Sequence, residues 1–340
     1  MITFLFVFFG AFYGIGWWLS TKPYTGPVTD HFDGTCFVNP GGAKAQGLGK
    51  VLQWVFKREK GPWQDLTAWK STLSKPAVKS NPSTHVYFIN HSSFLIQIDG
   101  INILTDPVYS QRVSPFQFAG PKRMRQPGID FEDLPPIDLI LLSHNHYDHL
   151  DLPTVKKLSE KFDPQFIVPL GVRHFLANKG IDKVKELDWW DHEVFLNLKI
   201  FSTPAQHFSG RGLFDRDRSL WCGFSVKGRD KHILYIGDTG HGMFFNKFPE
   251  VIGPPDLAII PIGAYKPKWF MKPIHCSPAQ AIEIHEMVQA SKSVACHHGT
   301  FPLGDDGMHE PAQELEAARS EKGIASDTFV ILQNGHHLQI

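Results

Sequence analysis

The stretch IDLILLSHNHYDHLD, residues 137–151, carries the chain's most informative pattern. Its first half, IDLILLS, is a continuous apolar run of the kind that forms a strand buried on both faces. Its second half sets three histidines and an aspartate within six residues, His144, His146, Asp148 and His149, in the spacing H-x-H-x-D-H. Alternate residues on an extended strand end share a face, so His144 and His146 can grip one ion. Asp148 and His149, entering the next turn, can reach a second ion nearby. Imidazole and carboxylate are the ligands of catalytic zinc sites, which keep a position open for water. A polar loop of ordinary histidines is the plainer reading, and the specificity of the spacing argues against it.

Four such residues cannot complete two metal sites, so further ligands are expected downstream. His207 in STPAQHF, Asp238 in LYIGDTG and His297 in SVACHHGTF each stand at the end of an apolar run. Around them the chain reads as strands and helices in alternation. HVYFIN, FLIQI and NILTD, from residue 85, predict an antiparallel meander. Helices are predicted over 152–162, 278–289 and 310–322, with buried strands at DLAIIP and SVACHH. Two successive halves of strands with outer helices predict an α/β layered sandwich over residues 83–340.

Residues 1–21 carry no charged side chain. The run Ile2 to Leu19 as a helix would be about 27 Å long, close to the hydrocarbon thickness of a bilayer. A membrane-anchor helix over residues 1–20 is therefore expected. Trp17 and Trp18 would lie at the interface, and Lys22 would place the following domain on the cytoplasmic side. Residues 21–82 read as a connecting region. Within it Leu48, Val51, Leu52 and Val55 recur at the spacing of a short amphipathic helix, packed on the domain or on the membrane. The 34 basic and 34 acidic residues balance, which excludes a general attraction to nucleic acid. Four cysteines without C-x-x-C spacing exclude a cysteine zinc knuckle and fit a reducing compartment. No Ser-x-x-Lys, G-x-S-x-G or catalytic-cysteine pattern offers a covalent route.

H-x-H-x-D-H, a later lone histidine, G-D-T and a final histidine together resemble the metallo-β-lactamase superfamily, whose members are αββα sandwiches binding two metals. More narrowly, LTDPVYSQRVSPFQFAGPKRMR, DLPPIDLILLSHNHYDHLD, VPLG, ELDWW, GDTG and PIGAYKPKWFMKPIHCSPAQAIEIH resemble the N-acyl-phosphatidylethanolamine-hydrolysing phospholipase D family. The resemblance covers roughly residues 83–335. It implies one Zn2+ on His144, His146 and His207, a second on Asp148, His149 and His297, and Asp238 bridging both. Iron or manganese in place of zinc is left open. Asp106 in LTDP would orient a ligating imidazole, and Tyr147 and His275 would contact the substrate phosphate and head group. Asp148, Asp238, Tyr147 and His275 would thus carry the catalysis.

The family's last ligand stands in H-W-G-T-F, whereas this chain has His297-His298-Gly299, so His298 competes for the role assigned to His297 by position. The reaction implied is hydrolysis of a phospholipid at a membrane surface, by a homodimer, releasing N-acylethanolamine and phosphatidic acid. Two metals sharing a water would lower its pKa from about 16 towards 7. A same-fold hydrolase of a lactone or of a soluble or cyclic phosphodiester is the alternative, and an inactive metal-binding scaffold is the second. Trp189-Trp190 and Trp269-Phe270-Met271 read as core packing, or else as an apolar wall for acyl chains.

Overall fold

Helix α1 (Leu48–Phe56) precedes the first strands of the computed structural model, which describes residues 13–69, 75–79 and 83–340. The meander forms β1 (His85–Asn90), β2 (Ser93–Ile98) and β3 (Ile101–Thr105), three strands buried along almost their whole length. Next come β4 (Leu139–Leu141), α2 (Leu152–Phe162), β5 (Gln165–Pro169), α3 (Arg173–Ala177) and β6 (Val184–Leu187). The second half begins with β7 (His192–Phe195), β8 (Leu198–Thr203), β9 (Gly223–Lys227) and β10 (His232–Tyr235). It continues through α4 (Phe248–Ile252), β11 (Leu257–Pro261), α5 (Lys268–Met271), α6 (Pro278–Met287) and β12 (Lys292–Cys296). Helix α7 (Glu310–Lys322) and the strands β13 (Phe329–Val330) and β14 (His337–Gln339) close the chain.

These strands make two seven-stranded sheets of matching design, in the orders β14-β1-β2-β3-β4-β5-β6 and β13-β12-β11-β10-β9-β8-β7. The first sheet is antiparallel through β14-β1-β2-β3 and parallel through β3-β4-β5-β6, and the second antiparallel through β7-β8-β9-β10 and parallel through β10-β11-β12-β13. The period-two alternation of each strand sends one row of side chains between the sheets. Phe88, Ile96, Ile103 and Leu141 from the first sheet meet Phe224, Ile233, Ile259 and Val294 from the second. The opposite faces take the helices. Val155 and Leu158 of α2 pack on Ile140, Phe166 and Val168, and Ile282 and Ile284 of α6 share a cluster with Leu234, Ala258 and Ile260. The architecture is the expected α/β sandwich, with an apolar layer between the sheets and one under each helical face.

Differences from expectation lie towards the N-terminus. Residues 1–12, most of the expected anchor, lie outside the described residues, and 13–19 are helical. The apolar N-terminal helix is accordingly not seen as such, and no helix among the described residues is long and apolar enough to cross a membrane. Described parts of the stretch read as a connecting region pack on the domain. Phe32 and Phe37 are buried against Leu220 and Trp221, and Arg58 pairs with Asp305 at 2.8 Å. Helix α1 forms where its periodicity places it. Val51 and Trp54 pack against Phe270, Met271 and Ile274, while Leu52, Val55 and Phe56 stay exposed. The strand expected over 137–143 pairs only through Leu139–Leu141, because the chain must leave the sheet there to present its histidines.

Candidate metal centre

Strands β4, β8, β10 and β12 all end at one edge of the sandwich, and each delivers a site residue immediately beyond its last turn. His144, His146, Asp148 and His149 follow β4, His207 follows β8, Asp238 follows β10 and His297 follows β12. Asp106 follows β3, and His275 lies between α5 and α6. All seven expected ligands therefore meet, although 153 positions separate the first from the last.

Their nitrogen and oxygen atoms form two groups. In the first, His144 Nε2 lies 2.8 Å and His207 Nε2 3.2 Å from His146 Nδ1. Hydrogen bonds fix which nitrogens are free to face one another. His144 Nδ1–H donates to Ser143 Oγ at 2.9 Å, and His207 Nδ1–H donates to the Ile274 carbonyl at 2.9 Å. Both Nε2 lone pairs then point inward, a common arrangement for metal-ligating imidazoles. In the second group, His149 Nε2 and His297 Nε2 each stand 3.3 Å from Asp148 Oδ2. Asp238 lies between the groups: its Oδ2 is 3.0 Å from His297 Nε2, 3.2 Å from His149 Nε2 and 3.8 Å from His207 Nε2. The preceding Gly237, at φ +70°, is required there, because a Cβ would lie 2.7 Å from the Cys222 carbonyl oxygen.

Charge compensation inside this buried cluster separates the two groups. Burial and the neighbouring imidazoles hold His144 neutral well below its ordinary pKa, and burial brings His146 to about 3 and His207 to about 4. Burial pushes His149 and His297 down too, but the Asp238 and Asp148 carboxylates overrule it, leaving His149 well above its ordinary value and His297 at about 9. Without metal, those two imidazoliums neutralise the carboxylates, as a divalent cation would. His149 Nε2, His297 Nε2 and Asp238 Oδ1 are buried with no hydrogen-bond partner. Three neutral imidazoles beside a carboxylate-rich group fit one ion in each.

Asp106 sits beneath this array, fully buried. Its Oδ2 accepts His149 Nδ1–H at 2.6 Å, Ser143 Oγ–H at 2.5 Å and Tyr235 Oη–H at 2.5 Å, and its Oδ1 accepts the Ser143 amide at 2.7 Å. Tyr235 was not legible as a site residue, because it is one apolar-patterned residue of HILY and its partner stands 129 positions away. Replacing Tyr235 with Phe keeps the core volume and removes the donor. Metal affinity should fall by about ten- to a hundredfold in a competition titration with a chelating dye. Unchanged affinity would remove Tyr235 from the site.

His91, in the β1–β2 turn, was missed as well. It is 1% exposed, its Nε2 is 3.0 Å from Asp148 Oδ2, and its ring centroid is 4.1 Å from that of His297. Its carbonyl accepts the His297 amide at 2.7 Å. A histidine at the tip of an apolar hairpin was the available signal. His91, Asp106 and His297 have φ of 47°, 34° and 58°, a left-handed conformation that non-glycine residues adopt under constraint, often at functional sites. Asn39 is a third omission: its side chain accepts the His207 amide at 2.8 Å and donates to the His207 carbonyl at 2.8 Å.

The substrate-contact candidates divide. His275 is buried at the cluster, with Nδ1 4.0 Å from Asp238 Oδ2 and its ring 5.1 Å from those of His207 and His297. The Tyr147 hydroxyl turns instead to the Arg211 carbonyl, donating at 2.9 Å, while the Arg211 guanidinium covers its ring at 3.9 Å. His298 belongs to none of the convergent groups and stacks on Phe88 at 5.7 Å. Trp189 donates to the Trp221 carbonyl and Trp190 packs on Phe248, while Trp269 is 45% exposed.

A family profile described as beta-lactamase superfamily domain matches residues 101–298. N-acyl-phosphatidylethanolamine-hydrolyzing phospholipase D 1 of Caenorhabditis elegans is 40% identical over 262 residues, covering 73% of each chain. The mitochondrial N-acyl-phosphatidylethanolamine-hydrolyzing phospholipase D of Saccharomyces cerevisiae is 39% identical over 225 residues, 64% of this chain and 48% of that one. Among solved structures, a possible metal-dependent hydrolase of Veillonella parvula superposes with TM-score 0.63 at 15% identity, over 76% of this chain and 100% of that one, a likeness of fold. The edge-sited cluster of histidines and aspartates and these matches agree: the chain is a hydrolase of the metallo-β-lactamase superfamily and belongs to its N-acyl-phosphatidylethanolamine-hydrolysing phospholipase D family.

Proposed function

We propose that the chain is a two-zinc phosphodiesterase that hydrolyses N-acyl-phosphatidylethanolamine to N-acylethanolamine and phosphatidic acid. The observation that carries this reading is the pair of convergent donor groups sharing Asp238; the named activities of the relatives support the substrate. His144, His146 and His207 would hold one ion, Asp148, His149 and His297 the other, and Asp238 both. Two such ions, when bound, supply an activated water at neutral pH and neutralise charge growing on the phosphoryl oxygens.

The protein's own groups do the rest. Asp106 and Ser143 keep the ligating nitrogens aimed inward. His275, buried with Nδ1 unpartnered, is placed to donate to a phosphoryl or leaving-group oxygen. Phe208, edge-on to His146 at 4.4 Å, and Ile274 give one side of the cluster an apolar wall suited to an acyl chain. Exposed Leu52, Val55 and Phe56 on α1, with Trp17 and Trp18, support work at a membrane surface.

Elemental analysis of the full chain, with product analysis on N-acyl-phosphatidylethanolamine in detergent, tests this reading. Two zinc ions per chain and release of N-acylethanolamine with phosphatidic acid are expected. Faster cleavage of short soluble diesters than of any N-acylated lipid would overturn the lipid assignment. His275→Ala should keep both ions and lower turnover by roughly ten- to a thousandfold, the range for a lost transition-state donor. Tyr147→Phe should cost less, because that hydroxyl is engaged with the Arg211 carbonyl. Loss of an ion in His275→Ala would make His275 a ligand instead.

A further inference from the structure

A cavity of about 730 Å³ shares no lining residue with the metal cluster. Arg125, His298, His309, His336, Gln64 and Gln333 line it, with Leu66 and Met308 adding apolar surface, and no aspartate or glutamate is among its walls. Arg125 is the anomaly. Two more deeply buried arginines are satisfied by carbonyls: Arg123 donates to those of Ser110, Arg125 and Val108, and Arg211 to those of Asn145 and Leu150. The Arg125 guanidinium is partly withdrawn from water, and no hydrogen bond or acidic partner is found for it among the described residues. Nor can an acid come from elsewhere, since residues 1–12, 70–74 and 80–82 contain no aspartate or glutamate. A cation drawn from water without a counter-charge is costly, and an anion entering from solvent removes that cost.

His298 adds an independent sign. Its Nε2 is buried with no hydrogen-bond partner, although the ring lines a space large enough to hold one. We propose that this cavity binds a phosphate monoester, the charged group taken by Arg125 and His298 and the organic part resting on Leu66 and Met308. Donor side chains with no acid among them complement a group with three terminal oxygens and two charges better than they do a carboxylate. The metal centre uses His297, and the next residue faces this separate site. One loop after β12 thus serves two anion-binding places.

Calorimetric titration of the full, metal-loaded chain with inorganic phosphate at constant ionic strength tests the assignment. Two binding events are expected, one at the metal centre and one in the cavity. Arg125→Gln should weaken the cavity event by at least tenfold, roughly one charge-assisted hydrogen-bonded pair, and leave the other unchanged. His309→Gln, at an exposed position where folding is not at stake, should weaken the same event by a smaller factor. Glycerol 3-phosphate and phosphatidic-acid vesicles distinguish a soluble ester from a lipid headgroup, each read as the Arg125-dependent part of binding. Identical phosphate isotherms for native and Arg125→Gln protein, or a single event confined to the metal centre, would overturn the proposal.

Discussion

Asp238→Asn is expected to leave the folded chain unable to hold its full metal complement and to lower turnover at least roughly a thousandfold, the upper range for losing one preorganised electrostatic group. Asp238 stands between the two donor groups, 3.0 Å and 3.2 Å from the imidazoles of the second and 3.8 Å from His207 of the first. Its carboxylate offers equivalent anionic oxygens, whereas an asparagine would offer one neutral oxygen and turn an N–H towards imidazoles that need an acceptor. Both ions should therefore weaken, the second more, because His149 and His297 lose the negative charge that draws a cation between them. Elemental analysis after gel filtration would read the loss, with circular dichroism to show that the sandwich is intact. A variant that still carries two ions per chain would show that Asp238 bridges nothing.

How far this site could be read from sequence follows from how local each contact is. His144, His146, Asp148 and His149 were legible because six residues at a strand end create the geometry themselves. His207, Asp238 and His297 are far from them in the chain. They were legible because each stands just past an apolar run, and strands in a layered α/β fold commonly end at the site. The layered α/β sandwich was legible in outline from the same runs.

What stayed hidden depends on pairs that tertiary folding alone creates. Tyr235 meets Asp106 across 129 positions and Asn39 meets His207 across 168, and neither local pattern distinguishes the residue from a core tyrosine or a turn asparagine. The packing of the described part of residues 21–82 was hidden for a related reason. Its Pro and Gly punctuation is that of a linker, but Phe32 and Phe37 supply the apolar surface that seats it beside the His207 loop. The Tyr147 hydroxyl shows the opposite limit. Proximity in sequence to four site residues does not fix where a side chain points, and Arg211 captures it.

His297→Ala should abolish turnover and empty the second group, whereas His298→Ala should keep both ions. The adjacent pair cannot be separated by residue type, but the backbone separates them. At His297, φ is 58°, and the His91 carbonyl holds its amide at 2.7 Å. Gly263 has no Cβ, and one placed there would lie 2.0 Å from the His297 carbonyl oxygen, so this turn is packed too closely to slip by a residue. With the peptide so held, the His297 ring turns inward, its Nε2 3.3 Å from Asp148 and 3.0 Å from Asp238. The next ring turns out onto Phe88. Removing the His297 imidazole takes from the second group the one ring nitrogen that stands within 3.3 Å of both Asp148 Oδ2 and Asp238 Oδ2 on the β12 side, so the second ion loses a ligand. Removing the His298 imidazole opens space beside Phe88 and Arg125 and takes nothing from the cluster. Zinc content and turnover of the two variants, measured side by side, decide the matter. Loss of an ion in His298→Ala with retention in His297→Ala would shift the ligand by one residue and refute the geometry of this turn.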